Sequence, residues 1–238
     1  MPHKNGSLRR SVLWTGRRSC VILKFMKLLL CDNSILVCEK PAGVLSTDEP
    51  GGVPELARAA LGDPGAEVRT VHRLDRVVGG AMVLARSKAA AATLGRQVMD
   101  RRFEKEYLAV VHGAPAEDAG CFRDLLRRDK AERKTYVTDT PGKDAREAVL
   151  DYTLLQSRAG LSLMRISLRT GRTHQIRCQC ASRDLPLVGD RKYGILTDDC
   201  PIALWSYRLA FDHPETGERV EVCLDPPAQY PWTEFDLE

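Results

Sequence analysis

The sequence contains no apolar run that approaches the ~20 residues needed to span a bilayer. Its longest candidate, CVILKFMKLLLC, is interrupted by Lys24 and Lys27 and is too short for a membrane helix. The amino terminus is basic, but it lacks the continuous apolar core and the small-residue cleavage site of a secretory signal. We therefore expect a cytoplasmic protein with no membrane partner.

No C-x-x-C pair occurs among the eight cysteines, and the close pair CQC has a poor spacing for structural zinc. An even number of cysteines could form disulfides. A chain of 238 residues without a secretion signal instead favours reduced thiols. We predict free, mostly buried cysteines and no metal.

No internal repeat and no low-complexity linker divides the chain, so one domain is the simplest organisation. The net charge of +4 favours a nucleic-acid partner, but six of the 36 basic residues and none of the acidic ones lie within residues 1–25. We expect residues 1–25 to be a basic extension, either disordered or upstream of a true start at Met26. The folded domain would then comprise residues 26–238.

Strand and helix signals are spread along the whole chain. Strands are predicted in SILVCEKP, GAMVLAR, KEYLAVVHG, REAVLDYTLLQ, LSLMRISLRT and RVEVCLDPP, and helices in VPELARAAL, SKAAAATLGRQVMDRR and HQIRCQCASRD. Ser87 is a predicted helix N-cap, and a turn at Gly160 joins an antiparallel pair. The pattern predicts an α+β fold, a single domain with a mixed, largely antiparallel β-sheet flanked by helices.

The stretch VHRLDRVVGG places Asp75 among His72, Arg73 and Arg76 just before a predicted strand. A neighbouring guanidinium favours the charged form of a carboxylate, which suits it to act as a nucleophile or base. A surface salt bridge at a strand entrance explains the same residues and is the commoner arrangement on spacing alone.

Two further segments contain candidate site residues. Tyr107 opens the apolar strand after RRFEKE, where a tyrosine most often packs and finds a partner for its hydroxyl. The segment LRTGRTHQIR turns into a predicted helix at Gly171, and helix-start amides with guanidinium groups bind phosphate. A solvated turn is the alternative. The polar side chains of LRTGRTHQIR that could form such a site are Arg169, Arg172, His174, Gln175 and Arg177.

The order of several blocks resembles the RluA-type family of RNA pseudouridine synthases over about residues 28 to 226. The blocks are VCEKPAGVLS, HRLD followed by Gly79 and Gly80, KEYLAVVHG, GRTHQIR, LPLVGDRKYG and RLAFDHPETGERVEV. Some relatives carry an amino-terminal S4-type RNA-binding domain. Too few residues precede the first block here to hold one, so the resemblance is to the short form.

The resemblance implies isomerisation of specific uridines in rRNA or tRNA to pseudouridine, without cofactor or metal. The N1–C1′ bond breaks, the base turns, and C5 joins C1′. Asp75 matches the family's essential aspartate, for which attack on C1′, attack on C6 and removal of a C2′ proton have each been proposed. Tyr107 matches the tyrosine that packs on the base and helps remove the C5 proton. Arg177 matches the arginine that pairs with the aspartate.

Further matches imply contacts with RNA. The predicted RNA-binding residues are Lys40, Pro41, His72, Arg73, Arg133, Lys134, Arg172, His174 and Gln175. Arg133 and Lys134 match an RNA-gripping loop, although an exposed charged hairpin explains them equally well. We expect a monomer that binds RNA and needs no obligatory protein partner.

The chain departs from the family pattern at three places. Val78 and Gly79 replace the usual Thr-Ser, CQ replaces Val-His after HQIR, and LWS replaces Leu-His-Ala near the end. Asp75, Tyr107 and Arg177 are retained, which indicates an active but divergent enzyme. The main alternative is a catalytically inactive RNA-binding module that keeps the fold. A nucleotide glycosidase using Asp75 is a third possibility, but no second carboxylate stands out as its general acid.

Overall fold

An eleven-stranded sheet forms the body of the protein in a computed structural model, which describes residues 26–237. The basic extension predicted for residues 1–25 lies outside the described residues. The strands are β1 (Leu28–Cys31), β2 (Ile35–Lys40), β3 (Arg69–Thr70), β4 (Gly79–Ala85), β5 (Glu104–His112), β6 (Ala119–Asp129), β7 (Lys134–Thr138), β8 (Ala145–Arg158), β9 (Leu161–Leu168), β10 (Leu204–Asp212) and β11 (Arg219–Cys223). The helices are α1 (Val53–Leu61), α2 (Lys88–Met99) and α3 (Gln175–Ala181), and a 3₁₀ turn covers Trp232–Glu234.

The strands run in the order β1-β2-β4-β10-β5-β9-β8-β6-β7, with β3 paired to β4 and β11 paired to β10. Within residues 26–237 every pairing between named strands is antiparallel except that of β4 with β10, which is parallel at Gly79 and Gly80. The predicted α+β class with a mixed, largely antiparallel sheet is confirmed.

Local signals account for the ends of several elements. Helix α1 has a proline in its first turn, and its chain leaves through Gly62 in the left-handed region at φ 68°. Helix α2 is capped by Ser87, whose Oγ accepts a hydrogen bond from the Ala90 amide at 3.1 Å. Such a cap stabilises a helix by about 1 kcal/mol. Gly160, at φ 79°, turns β8 into β9 as predicted.

The two faces of the sheet bury different clusters. On β5, Leu108 packs in a cluster that includes Leu94 of α2, whereas Tyr107 packs in a cluster with Leu74 and with Ile176 of α3. Neighbouring side chains of a strand point to opposite faces. The alternation therefore places Tyr107 on the face that carries α3 and the loop before β4.

The seven cysteines within residues 26–237 are free, but the prediction that most are buried is wrong. Three of them lie at the ends or on the outer faces of strands, where the sheet is open to solvent. These exposed residues are Cys31, Cys121 and Cys223, whereas Cys200 is half-buried and Cys38, Cys178 and Cys180 are buried.

No helix in this part of the chain has both the length and the apolar character to cross a membrane. The same residues contain no group of His, Cys, Asp or Glu arranged to hold a metal ion.

Candidate active site

Asp75 lies in the loop between β3 and β4, close to the entrance of β4. The Val78 amide donates to the Asp75 carbonyl at 3.0 Å, which closes a turn just before the strand begins. The Asp75 side chain is 24% exposed. Its carboxylate is thus held by a turn while remaining open to solvent.

Lys40, the last residue of β2, lies under this loop. Its Nζ donates to the carbonyls of Pro41 at 3.0 Å, Arg76 at 3.2 Å and Val78 at 2.7 Å. The side chain is completely buried. Two of the three acceptors belong to the loop that carries Asp75, so Lys40 fixes the backbone on the carboxyl side of Asp75.

Ser46 fixes the amino side of the same loop. Its hydroxyl donates to the Leu74 carbonyl at 2.8 Å and accepts from the Leu74 amide at 3.0 Å. Gly43 and Arg76 exchange two further hydrogen bonds of 2.7 and 2.9 Å. The segment KPAGVLS therefore acts as a clamp on the loop of Asp75, a role that the sequence pattern did not reveal.

Two predicted RNA contacts lie in the interior instead. Lys40 has no exposed surface, and His72 is buried with its Nε2 accepting from the Val83 amide at 3.1 Å. These positions do not fit contact with an RNA backbone, because both side chains are enclosed by the protein. Pro41 is half-buried, and Arg73 is exposed without a hydrogen bond or salt bridge to any described residue.

Arg177 joins Asp75 to a second carboxylate. Its Nη1 donates to Asp75 Oδ2 at 3.1 Å, whereas its Nε and Nη2 bind the two oxygens of Asp190 at 2.8 and 2.7 Å. Asp75 and Arg177 are 102 positions apart, so the contact is tertiary. The two-point contact is made to Asp190, a residue that the sequence patterns left without a role.

The pair of Arg177 and Asp190 is deeply buried, at 6% and 0% side-chain exposure. Burial opposes ionisation of Asp190, but the hydrogen bonds and charge of Arg177 outweigh it and hold the pKa of this carboxyl below its usual value. Bidentate geometry of this kind also fixes the plane of the guanidinium. Arg177 therefore presents an N–H of Nη1 to Asp75 in a set direction.

Asp190 also orders the loop that follows it. Asp190 accepts from the Tyr193 amide at 3.2 Å, and the Tyr193 ring centroid lies 5.2 Å from the Arg177 guanidinium. The Tyr193 hydroxyl contacts His174 Nδ1 at 2.8 Å. His174 Nε2 in turn lies 3.9 Å from Asp75 Oδ2. These contacts form a closed ring that begins and ends at Asp75.

Gln175 and Arg172 shape the turn into α3. Gln175 is buried, and its Oε1 accepts from the Thr170 hydroxyl at 2.8 Å and from the Arg172 amide at 3.0 Å. Gln175 therefore closes the turn, which does not fit its predicted contact with RNA. Arg172 is exposed and donates from Nε to the Glu147 carbonyl at 2.9 Å, and its terminal nitrogens make no hydrogen bond to any described residue.

The hairpin of β6 and β7 lies against Tyr193. The Thr135 amide donates to the Tyr193 hydroxyl at 2.7 Å, and Lys134 Nζ lies 5.0 Å from the centre of the Tyr193 ring. Arg133 is exposed at the tip in the left-handed region at φ 51°. The hairpin thus places Arg133 and Lys134 beside the site rather than at a remote edge.

Tyr107 lies on β5 opposite Ser206 of β10 and Ile166 of β9. The side chain is 6% exposed. Burial, and then the negative charge of Asp75, raise the pKa of Tyr107 above its usual value. Its phenol is therefore neutral at physiological pH.

Two of the departures from the family pattern meet in one contact. A Cβ on Gly79 would lie 2.5 Å from Cζ3 of Trp205, so glycine leaves the space that the tryptophan fills. At Gly80 a Cβ would lie 2.4 Å from the Ser206 carbonyl oxygen, and φ is 121°. Only glycine at position 80 tolerates both this close approach and this positive φ. Gly79 and Trp205, two of the departures, are therefore complementary in shape.

A protein-family model described as RNA pseudouridylate synthase matches residues 34–182 of this chain. The chain belongs to the RNA pseudouridylate synthase family. Members of this family are isomerases that act on RNA, so the predicted family and enzyme class are confirmed.

Relatives of this pseudouridine synthase are found among bacterial and human proteins. An uncharacterised RNA pseudouridine synthase of Aquifex aeolicus is 33% identical over 228 residues, covering 85% of this chain and 71% of the relative. Ribosomal large subunit pseudouridine synthase D of Xanthomonas campestris is 33% identical, covering 85% and 66%. The solved structure of human RNA pseudouridylate synthase domain containing 1 has a TM-score of 0.74 at 25% identity, covering 89% and 88%.

We expect Lys40→Met to slow the enzyme without weakening its binding to RNA. The substitution removes three hydrogen bonds, two of them to the loop of Asp75, and a displacement of about 1 Å can cost about 100-fold in rate. Single-turnover pseudouridine formation measures the loss. Lys27→Met is the matched control, because Lys27 is exposed and faces Glu39 at 3.8 Å. A rate within twofold of the parent would refute the role of Lys40 under the loop.

The pH dependence of the free energy of unfolding gives an independent check on the burial of Lys40. Burial lowers the pKa of Lys40 to about 8, although the charge of Asp75 partly offsets this effect. Between about pH 8 and pH 10.5 the unfolded chain binds more protons at this lysine than the folded one, so its contribution to stability rises with pH. Lys40→Met should lack this rise, as measured by denaturant unfolding across that range.

Proposed function

We propose that this protein isomerises specific uridines in structured RNA, either rRNA or tRNA, to pseudouridine, with Asp75 as the group that acts on the nucleotide. The observation that supports this most is the arrangement of Asp75 and Arg177. A partly exposed carboxylate is held by a buried guanidinium whose other nitrogens are fixed by Asp190.

The geometry suits each of the three roles suggested for Asp75. All three need a carboxylate oxygen directed at the nucleotide. Arg177 binds Oδ2 of Asp75, and Oδ1 makes no hydrogen bond to any residue of the described chain. One oxygen is thus held while the other is free to meet the ribose or the base. Nothing in this arrangement requires a cofactor or metal.

The surroundings of the site support RNA as the substrate. A uridine within a helix cannot reach Asp75, so it must leave the stack before it reacts. Arg73, Arg133 and Arg172 are exposed on three different segments around Asp75. Guanidinium groups in such positions bind phosphates and set the register of the RNA. We propose a cytoplasmic enzyme that acts as a monomer without an obligatory protein partner.

We infer that Tyr107 packs on the flipped base and handles the C5 proton. Burial keeps its phenol neutral, so a proton taken from C5 needs another acceptor that acts together with the hydroxyl. Tyr107→Phe keeps the ring and should retain RNA affinity. It should lower turnover by about 10²- to 10⁴-fold if the hydroxyl relays that proton. Tyr207→Phe is the control, since Tyr207 is partly buried on the opposite face. Equal rates for the two variants would leave packing as the only role of Tyr107.

The test of the proposed function uses RNA from cells that lack this gene. Purified protein is incubated with this RNA, and carbodiimide labelling followed by reverse transcription locates new pseudouridines. We expect stops at one or a few uridines of rRNA or tRNA, absent with Asp75→Asn protein. RNA binding without any new pseudouridine would instead support an inactive RNA-binding module.

A further inference from the structure

Lys105 is a positively charged residue on the face of the sheet that carries Tyr107. It lies on β5 two residues before Tyr107, and side chains two apart on a strand share a face. Its ammonium makes no hydrogen bond or salt bridge to any of residues 26–237. A Cβ on Gly171 would lie 3.7 Å from Lys105 Nζ, so the ammonium lies against the turn into α3.

A second donor without an acceptor lies near Lys105. His72 Nε2 accepts from the Val83 amide, so the ring proton of the neutral imidazole is on Nδ1. His72 Nδ1 is buried and has no hydrogen-bond partner among the described residues. The His72 ring centroid is 5.4 Å, and Lys105 Nζ 5.9 Å, from the centre of the Phe103 ring. Both donors therefore lie around one aromatic ring.

The electrostatics agree with this placement. Burial, and then the positive charge of Lys105, lower the pKa of His72 to about 3. Burial also lowers the pKa of Lys105. A partly buried ammonium without a counter-ion is destabilising, because it loses hydration and gains no partner. Such a residue is retained more readily where a ligand supplies the missing negative charge.

We propose that Lys105 binds a phosphodiester group of the RNA next to the target uridine. This inference rests on the proposed function, since it assumes that a nucleotide enters beside Tyr107. A phosphodiester is the anion that every RNA brings to the site, and the Lys105 ammonium lies against the turn at Gly171 and 5.9 Å from the centre of the Phe103 ring. The contact would hold the ribose of the flipped nucleotide at a fixed distance from Asp75.

The first experiment measures the binding of hexauridylate to the full-length protein over a series of salt concentrations. Lys105→Met should bind about tenfold more weakly at low salt. The slope of log affinity against log salt should fall by about 0.7, the value for one phosphate contact on a single strand. Lys105→Arg should keep the slope. Lys88→Met is the control, because Lys88 is exposed at the start of α2.

The second experiment separates phosphate from base as the group bound by Lys105. Uridine and uridine 3′,5′-bisphosphate are titrated into each protein and followed by NMR. We expect the parent protein to prefer the bisphosphate and Lys105→Met to lose most of that preference while its affinity for uridine stays the same. An equal loss for both ligands would show that Lys105 contacts the base and would overturn the proposal.

Thermal unfolding distinguishes a binding role from a structural one. Lys105→Met should unfold at the same or a higher temperature, because an unpaired, partly buried charge is removed. A lower unfolding temperature with an unchanged salt slope would overturn the proposal, as would failure of the parent protein to bind hexauridylate at low salt. If the parent protein forms no pseudouridine on any RNA but Lys105 still sets the phosphate preference, the proposed function fails and this inference stands.

Discussion

Asp75→Asn is expected to abolish pseudouridine formation while RNA affinity stays within a few fold of the parent protein. The change removes the charge of the carboxylate but little of its volume, so the turn before β4 should persist. Loss of a group that acts on the reacting atoms typically costs 10²- to 10⁴-fold or more. Single-turnover assays on the RNA identified for the parent protein measure the loss.

Asp151→Asn is a matched control for Asp75→Asn. Asp151 also pairs with an arginine, Arg169, with oxygen-to-nitrogen distances of 2.5 and 2.8 Å, but this pair is exposed. We expect the Asp151 variant to keep full turnover, since an exposed pair contributes only about 0–1 kcal/mol to stability. Turnover of Asp75→Asn within tenfold of the parent would disprove the catalytic assignment of Asp75.

Arg177→Lys is expected to fold but to lose most of its turnover. A lysine keeps the charge and loses the planar arrangement that binds Asp190 through two nitrogens and Asp75 through a third. Without that arrangement the Asp75 carboxylate loses its fixed partner, and a rate loss on the order of 100-fold is reasonable. Turnover and the free energy of unfolding should be measured together, because the two effects are distinct.

Arg177→Ala should also destabilise the fold, by about 3–5 kcal/mol, because it leaves the buried Asp190 carboxylate without its counter-ion. Arg169→Lys tests the same chemical change at an exposed pair and should have little effect on either measurement. Arg172→Lys should mainly change RNA affinity and its salt dependence. If Arg177→Lys keeps full turnover and Arg172→Lys loses it, the wrong arginine of GRTHQIR has been assigned to Asp75.

The residues that no pattern pointed to are those whose roles depend on distant partners. Asp190 lies in LPLVGDRKYG, where nothing local distinguishes a buried carboxylate from an exposed one. A buried arginine needs a carboxylate partner, and this requirement is the one signal that could have pointed to Asp190. The buried position of Lys40, which does not fit the predicted contact with RNA, has the same cause. A lysine at the end of a strand is usually exposed, and only packing of the loop of Asp75 over β2 encloses this one.

Elements with local causes, such as α1, α2 with its cap at Ser87, and the turn at Gly160, can be predicted from the sequence. Caps, alternation and turn residues act within a few positions, so they can be recognised along the chain. The ordered blocks likewise pointed to the family and to Asp75. Which charges meet depends on tertiary packing, because a sheet in which β4 lies beside β10 brings together residues more than 100 positions apart. The pairing of Arg177 with two carboxylates and the fit of Trp205 against Gly79 follow from that packing, and no local pattern records it.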